Sequence, residues 1–125
     1  MTTPPVFPTK SVAEWGAYAD SLKWPTAMII DGKRNEGRDE NHVDLVTPRD
    51  GSTVTTVPYA GEAELELAVS AARRAFDEGP WPRMAPKQRK ELMLAWVALM
   101  EEHRTELATM LSVEMGKPIA DAWGI

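Results

Sequence analysis

The sequence predicts an α+β segment: a short helix, β-strands with a hairpin, and then two or three long helices. Three observations lead to this prediction. A capping signature lies near residue 11, a β-branched run begins at residue 53, and apolar residues at helical spacing extend from residue 62 to beyond residue 110. The strand patterns therefore end before the long helices begin. Strands and helices that occupy separate stretches of the sequence are typical of the α+β class.

The composition is that of one ordinary globular unit. Of the 125 residues, 43% are hydrophobic and 26% are charged, which argues against disorder along the whole chain. The formal net charge of −5 disfavours a nucleic-acid partner, because binding to phosphates needs a basic patch. The sequence contains no cysteine, and this excludes disulfides, thiolate metal sites and a thiol nucleophile within it.

Nothing in the sequence indicates export or a membrane. The first ten residues lack the apolar core of a secretory signal. No apolar run approaches the roughly 20 residues that a membrane helix needs. We therefore expect a cytoplasmic protein without membrane contact.

Residues 1–26 are expected to form an N-terminal arm with one short helix. The stretch 1–10 is rich in Thr and Pro and predicts no regular structure. Ser11 and Glu14 match a capping box, in which the Ser side chain accepts a free backbone N–H and the Glu reaches back to the cap. Pro25 ends the helix, because it disfavours helical backbone at the preceding residue. The apolar stripe of this helix comprises Trp15, Tyr18, Ala19 and Leu22.

The middle of the chain is expected to hold the β-strands. A short apolar run precedes Asp31 and Gly32, a pair that favours a two-residue turn. The polar residues after this turn allow only a short return strand. Farther along, β-rich runs at 43–47 and 53–57 flank a turn at 48–51, which predicts a hairpin.

Two or three long helices are expected from residue 62 onward. The first ends at Gly79, two prolines stiffen the crossing, and Pro86 begins the next helix. That second run is long enough for a break at residues 102–104, and the stretch 115–118 ends it. Close packing of the first helix against another element is favoured by its small residues Ala68, Ala71, Ala72 and Ala75.

Three short motifs follow one another from the hairpin to the last helix. They are Thr47–Gly51 (TPRDG), Ala68–Phe76 (AVSAARRAF) and Glu114–Pro118 (EMGKP), with a tryptophan joint before the third. Their order and spacing resemble the N-terminal part of the aldehyde dehydrogenase superfamily over about residues 27–122. The helix sequence SVAEWGAYADSLKWP that precedes them is similar to the subgroup that oxidises γ-glutamyl-γ-aminobutyraldehyde and related aminoaldehydes.

The resemblance implies an α/β parent fold of which this chain is an incomplete segment. Residues 27–125 would be the truncated N-terminal part of a coenzyme-binding domain. The intact family oxidises aldehydes to carboxylic acids with NAD or NADP, through a cysteine thiolate and a glutamate, and a homo-oligomeric parent is implied. The residues that match the family's motifs here include no catalytic or coenzyme-binding residue, so we expect this segment to be inactive alone and unable to bind the coenzyme by itself.

A non-catalytic alternative stays open at this stage. In it, the chain is an interaction module that docks onto an intact aldehyde dehydrogenase or associates with its own copies. A self-sufficient module would be monodisperse and unfold cooperatively. A fragment would instead expose large apolar faces and tend to associate, and these faces bear Leu65, Ala72, Phe76, Leu92, Trp96 and Leu99.

The resemblance also implies one metal site. Many members of the family hold a structural Na⁺ or K⁺ between main-chain carbonyls before the first motif and the carboxylate that opens the third. The corresponding groups here are the carbonyls of Leu45 and Val46 and the carboxylate of Glu114. Hard cations suit oxygen ligands. The family often has Asp at this position, so the longer Glu would overreach, and the alternative is a solvent-exposed glutamate. A separation of more than roughly 6 Å from both carbonyls, beyond a water-bridged distance, would refute the site.

Overall fold

The computed structural model describes residues 6–37 and 41–124. Its strands are β1 (Met28–Ile30), β2 (Lys33–Asn35), β3 (His42–Val46) and β4 (Thr53–Pro58). Its α-helices are α1 (Val12–Ser21), α2 (Glu62–Asp77), α3 (Pro86–Glu102), α4 (Arg104–Met115) and α5 (Ile119–Trp123), and a short 3₁₀ helix (Trp81–Arg83) joins α2 to α3. The predicted order of a short helix, strands with a hairpin and then long helices is confirmed.

The strands form two separate antiparallel pairs, β1 with β2 and β3 with β4. Asp31 and Gly32 connect the first pair, and both have positive φ, 55° and 70°, as the favoured two-residue hairpin turn requires. In the second pair the register shifts at the end of β3, where Val46 lies opposite Thr53. The predicted turn, the short return strand and the hairpin are therefore confirmed. The hairpin also contains a β-bulge, which the sequence pattern did not predict.

The capping box that starts α1 is present. The amide of Glu14 donates to Ser11 Oγ at 3.3 Å, and the amide of Ser11 donates to Glu14 Oε2 at 2.7 Å. These hydrogen bonds stabilise the ionised carboxylate and lower the pKa of Glu14. The half-buried stripe of α1 lies against α4, so the arm packs on a later part of the chain. The proposed domain boundary after residue 26 stays a prediction.

The alanine face of α2 lies beside β1. Arg74 Nη2 and Asp31 Oδ2 form an ion pair at 2.9 Å, which links the helix to the β1–β2 turn. The small side chains allow this approach because they add little bulk between helix and strand. The groove between the two elements is lined by Ile29, Ile30, Ala68, Ala71, Ala72 and Ala75.

The chain turns tightly after α2, and the carbonyl groups at the end of this helix are capped. The amide of Gly79 donates to the carbonyl oxygen of Ala75 at 3.1 Å, and a Cβ at Gly79 would lie 2.2 Å from that oxygen. Only glycine fits this close approach. The guanidinium of Arg83 donates to the main-chain oxygens of Glu78 at 2.7 Å and Asp77 at 3.1 Å. Arg83 therefore satisfies carbonyls that the end of α2 leaves free, a role that the sequence pattern did not suggest.

The predicted break between the last long helices lies at His103. Its backbone (φ −96°, ψ 12°) leaves the helical region between α3 and α4. Its Nδ1 lies 3.1 Å from Glu106 Oε2. On either side of the break, Arg104 pairs with Glu101. This hydrogen-bonded ion pair lowers the pKa of Glu101 and raises that of Arg104.

Burial is concentrated where α4 meets α5. Among residues 6–37 and 41–124, the buried hydrophobic side chains are Ala108 and Ala122, each 4% exposed. Leu107, at an apolar position of the predicted stripe, is 44% exposed, because α4 approaches α5 through its small residues. The apolar faces expected to be uncovered in a fragment are exposed: more than half of the surface is accessible for Leu65, Phe76, Leu92, Trp96 and Leu99.

Candidate functional site

The predicted cation ligands belong to two segments that meet where α4 ends. Leu45 and Val46 close β3, and Glu114 lies in the last turn of α4. Thr47, which is 4% exposed, donates from its Oγ1 to the carbonyl oxygen of Val113 at 2.8 Å. This hydrogen bond joins the residue after Val46 to the residue before Glu114.

A second contact holds the same two segments together. Gly116 ends α4 with φ at 70°, in the left-handed region that favours glycine. A Cβ at this position would lie 3.0 Å from Pro48 Cγ, so a side chain would press on the β3–β4 turn. The amide of Arg49 also lies 3.4 Å from Thr47 Oγ1. Thr47 and Gly116 thus fix the end of the helix against the turn.

The predicted site at this junction combines two main-chain carbonyl groups with one carboxylate. In the part of the chain that the structure describes, no three His, Cys, Asp or Glu side chains come together to hold a metal ion. Hard cations accept main-chain carbonyl and carboxylate oxygens as ligands. Leu45 is half-buried, whereas Val46 and Glu114 are exposed. The site stays a prediction for this chain.

The ionisable groups with shifted pKa values are structural. Three exposed carboxyl groups, Glu14, Asp50 and Glu101, have lowered pKa values, and that of Asp50 falls to about 2. A lowered pKa keeps a carboxyl ionised at neutral pH, whereas a general acid needs a raised one. Each shift arises from a cap, turn or ion-pair partner, namely Ser11 for Glu14, Ser52 for Asp50 and Arg104 for Glu101.

An aromatic cluster connects the N-terminal arm with α5. The ring of Phe7 stacks on Trp15 with centroids 5.9 Å apart and meets Trp123 edge-on at 5.8 Å. Trp15 meets Tyr18 edge-on at 6.2 Å, and Lys10 Nζ lies 5.8 Å from both of these rings. Sequence reasoning missed this cluster, because Phe7 lies in a stretch without regular structure. The available signal was one-sided: four aromatic residues lie within residues 7–24, whereas Trp123 is the one aromatic residue after Trp96.

A groove of about 480 Å³ lies between α3, α4 and α5. Its charged rim is the Glu101–Arg104 pair, and its lining is otherwise apolar: Val97, Met100, Leu107, Ala108, Leu111 and Ala122. An apolar groove with its charges already paired is suited to packing rather than to chemistry. No helix in the described ranges is long and apolar enough to cross a membrane.

Comparison with known proteins gives one consistent result. The sequence model of the aldehyde dehydrogenase family matches residues 35–124. The 3-sulfolactaldehyde dehydrogenase of Pseudomonas putida is 45% identical over 80 residues, which are 64% of this chain and 16% of that protein.

Solved structures agree with the sequence match. The γ-glutamyl-γ-aminobutyraldehyde dehydrogenase of Burkholderia cenocepacia is 40% identical, with a TM-score of 0.85 over 90% of this chain and 23% of its own. An indole-3-acetaldehyde dehydrogenase in complex with NAD⁺ is 35% identical, with a TM-score of 0.87 over 94% of this chain and 24% of its own. The chain spans only 20% and 10% of the length of two further curated relatives.

Proposed function

The chain belongs to the aldehyde dehydrogenase family, and we propose that it forms the N-terminal part of an NAD(P)-dependent enzyme that oxidises an aldehyde to a carboxylic acid. The observation that carries this proposal is the asymmetry of coverage. Solved family structures match 94% of this chain but only 24% to 27% of their own length. The apolar faces of α2 and α3 suit this proposal, because they offer the surface against which a larger domain packs.

We place the chemistry outside this segment. The coenzyme would supply the hydride acceptor, but this sequence has no glycine-rich phosphate loop of the GxGxxG or GxxxxGK[ST] type and no cysteine nucleophile. The large groove at α3, α4 and α5 is apolar apart from one ion pair, so it does not fit a nucleotide phosphate. The role of this segment is to contribute packed helices and the junction at Thr47 to a homo-oligomeric parent.

The activity of the isolated chain tests whether the catalytic chemistry lies outside this segment. The purified 125-residue protein, assayed with aliphatic, aromatic and amino aldehydes, is expected to form no NADH or NADPH above a buffer control. The matched positive control is an intact family enzyme with its own substrate, such as the 3-sulfolactaldehyde dehydrogenase. Coenzyme reduction that co-purifies with the chain and scales with its concentration would contradict the proposal.

An interaction module is the second candidate, because exposed apolar faces also suit docking. In this alternative, the faces of α2 and α3 bind an intact aldehyde dehydrogenase or another copy of the chain. The distinguishing measurement is solution behaviour. A sharp unfolding transition from a monodisperse species at high protein concentration would favour the module over a fragment.

Two finer assignments accompany the main proposal. The similarity to the Burkholderia enzyme supports the γ-glutamyl-γ-aminobutyraldehyde subgroup, but the indole-3-acetaldehyde enzyme matches about equally well. The comparison therefore supports the family rather than one substrate. At the end of β3, Leu45 and Val46 with Glu114 are proposed to bind Na⁺ or K⁺, and this is supported by the hydrogen bond that joins their two segments.

A further inference from the structure

The last helix of the chain is too short to be stable by itself. α5 has five residues, whereas isolated helices shorter than about 12 residues are marginal in water. Its amides at Asp121 and Ala122 donate to the carbonyl of Pro118 at 3.0 and 2.9 Å. Contacts with other parts of the chain must therefore hold α5 in place. Most of the specific side-chain contacts to α5 are made with Trp123.

Trp123 is contacted by two different elements. The guanidinium of Arg104 lies 5.6 Å from the centroid of its ring, and Arg104 Nη1 donates to its carbonyl oxygen at 2.7 Å. The ring of Phe7 meets the indole edge-on, with an interplanar angle of 80°. Arg104 belongs to α4, against which α5 already packs, whereas Phe7 comes from the opposite end of the sequence.

Phe7 is itself fixed by a folded element. Its ring stacks on Trp15 with an interplanar angle of 28°, and Trp15 lies on α1. The capping box of Ser11 and Glu14 sets where α1 begins, which limits the positions that the preceding residues can reach. α1 in turn lies against α4. An unbroken series of contacts therefore runs from α4 through α1 and Phe7 to α5.

We propose that residues 6–15 are a strap that clamps α5 onto α4, with Phe7 as the clamping residue. The strap thereby sets the direction in which the chain passes residue 123. This role is independent of the proposed enzymatic function, because it rests on contacts within the described residues. Edge-to-face aromatic pairs stabilise beyond the area they bury, so loss of the Phe7 ring should loosen α5 before the rest of the fold.

Hydrogen exchange of the whole 125-residue chain tests the strap. In Phe7→Ala, the amides of Asp121 and Ala122 are expected to exchange roughly tenfold faster than in the unaltered chain. The amide of Tyr59, which donates to the carbonyl oxygen of Asn41 at the open end of the β3–β4 hairpin, should keep its rate. Val6→Ala is the matched control, because Val6 is adjacent and 83% exposed, and it should leave all of these rates unchanged.

Two outcomes of this experiment would overturn the proposal. One is an unchanged exchange rate in α5 of Phe7→Ala, and the other is equal acceleration throughout the chain. If Phe7→Ala does not fold, Phe7→Leu decides, because it retains apolar bulk without the ring and should still accelerate exchange in α5 alone. Phe7→Tyr keeps the ring and should restore the original rates; failure to do so would also contradict an aromatic clamp.

Discussion

The two helical regions of this chain differ in what covers them. In the first region, formed by α4, α5 and the N-terminal arm, Ala108 and Ala122 are each 4% exposed and Thr109 is 3% exposed. In the second, formed by α2 and α3, the large apolar side chains are exposed, among them Phe76 and Trp96. No residue of α3 is buried, and the structure describes this helix completely.

The difference indicates which apolar surfaces are covered by other parts of this chain and which are not. The covered region is held by residues from both ends of the sequence, since Phe7 of the arm contacts Trp123 of α5. Every residue from 92 to 100 is apolar, and α3 therefore presents apolar side chains on all of its sides. Such a helix is typical of the interior of a larger protein. The second region is thus suited to being covered by other structure, as the proposed parent enzyme would provide.

The largest expected effect comes from placing the same charge in each region. Ala108→Glu should destabilise the fold by roughly 3 kcal/mol, because a long charged side chain overpacks the contact between α4 and α5 at a position that is 4% exposed. Ala98→Glu, on exposed α3, should change stability by less than about 0.5 kcal/mol and reduce self-association. Thermal unfolding followed by circular dichroism measures the first effect, and sedimentation measures the second.

Equal destabilisation by the two substitutions would remove the distinction between the regions. It would mean that α3 is covered in solution, for example by a second copy of the chain. In that case sedimentation would show a defined oligomer that Ala98→Glu dissociates.

Two glycines provide a second, smaller contrast. Gly79→Ala, in the joint between α2 and α3, should destabilise by about 1–3 kcal/mol, because its Cβ would lie 2.2 Å from the carbonyl oxygen of Ala75. Gly16→Ala should stabilise by about 0.5–1 kcal/mol, because Gly16 lies inside α1 with no atom near the new Cβ. The urea midpoint should therefore fall for Gly79→Ala and rise for Gly16→Ala, and an unchanged or raised midpoint in Gly79→Ala would show that the joint accommodates a Cβ without cost.

Local features of the fold were predictable from the sequence because neighbouring residues determine them. The capping box at Ser11, the turn at Asp31 and the break at His103 depend on side chains and backbone preferences within a few positions. The covered side of α4 was not predictable in this way. Whether Ala108 or Leu107 is the buried residue depends on where α5 lies. The position of α5 depends in turn on contacts between residues that are far apart in the sequence.

The candidate site shows the same limit. Nothing in the spacing of Leu45, Val46 and Glu114 indicates that their segments meet; the resemblance to a family implied it. The meeting depends on a hydrogen bond from Thr47 to Val113 and on the close approach of Gly116 to Pro48. Both are long-range contacts that periodicity does not encode. The clamp between Phe7 and Trp123 was missed for the same reason.

The smallest predicted effect concerns pH and the β3–β4 turn, which is docked on the covered region. Asp50 Oδ1 accepts hydrogen bonds from the Ser52 hydroxyl at 2.6 Å and the Ser52 amide at 3.0 Å. With an additional contribution from Arg49, these bonds lower the pKa of Asp50 from 3.8 to about 2. The ionised carboxylate therefore stabilises the folded state. Its contribution is fully present above pH 3.8 and is lost as the pH falls towards 2.

Asp50→Asn tests this contribution, because the amide cannot gain or lose the proton. We expect the thermal midpoint of the unaltered chain to fall more between pH 5 and pH 2 than that of the variant. Asp20→Asn, on the exposed side of α1, controls for the loss of one negative charge. The effect is small because Asp50 is exposed and solvent screens its ion pair with Arg49. If the variant and the unaltered chain lose stability in parallel, Asp50 does not contribute to acid sensitivity, and the loss arises from other carboxyl groups with lowered pKa values, such as Glu14 and Glu101.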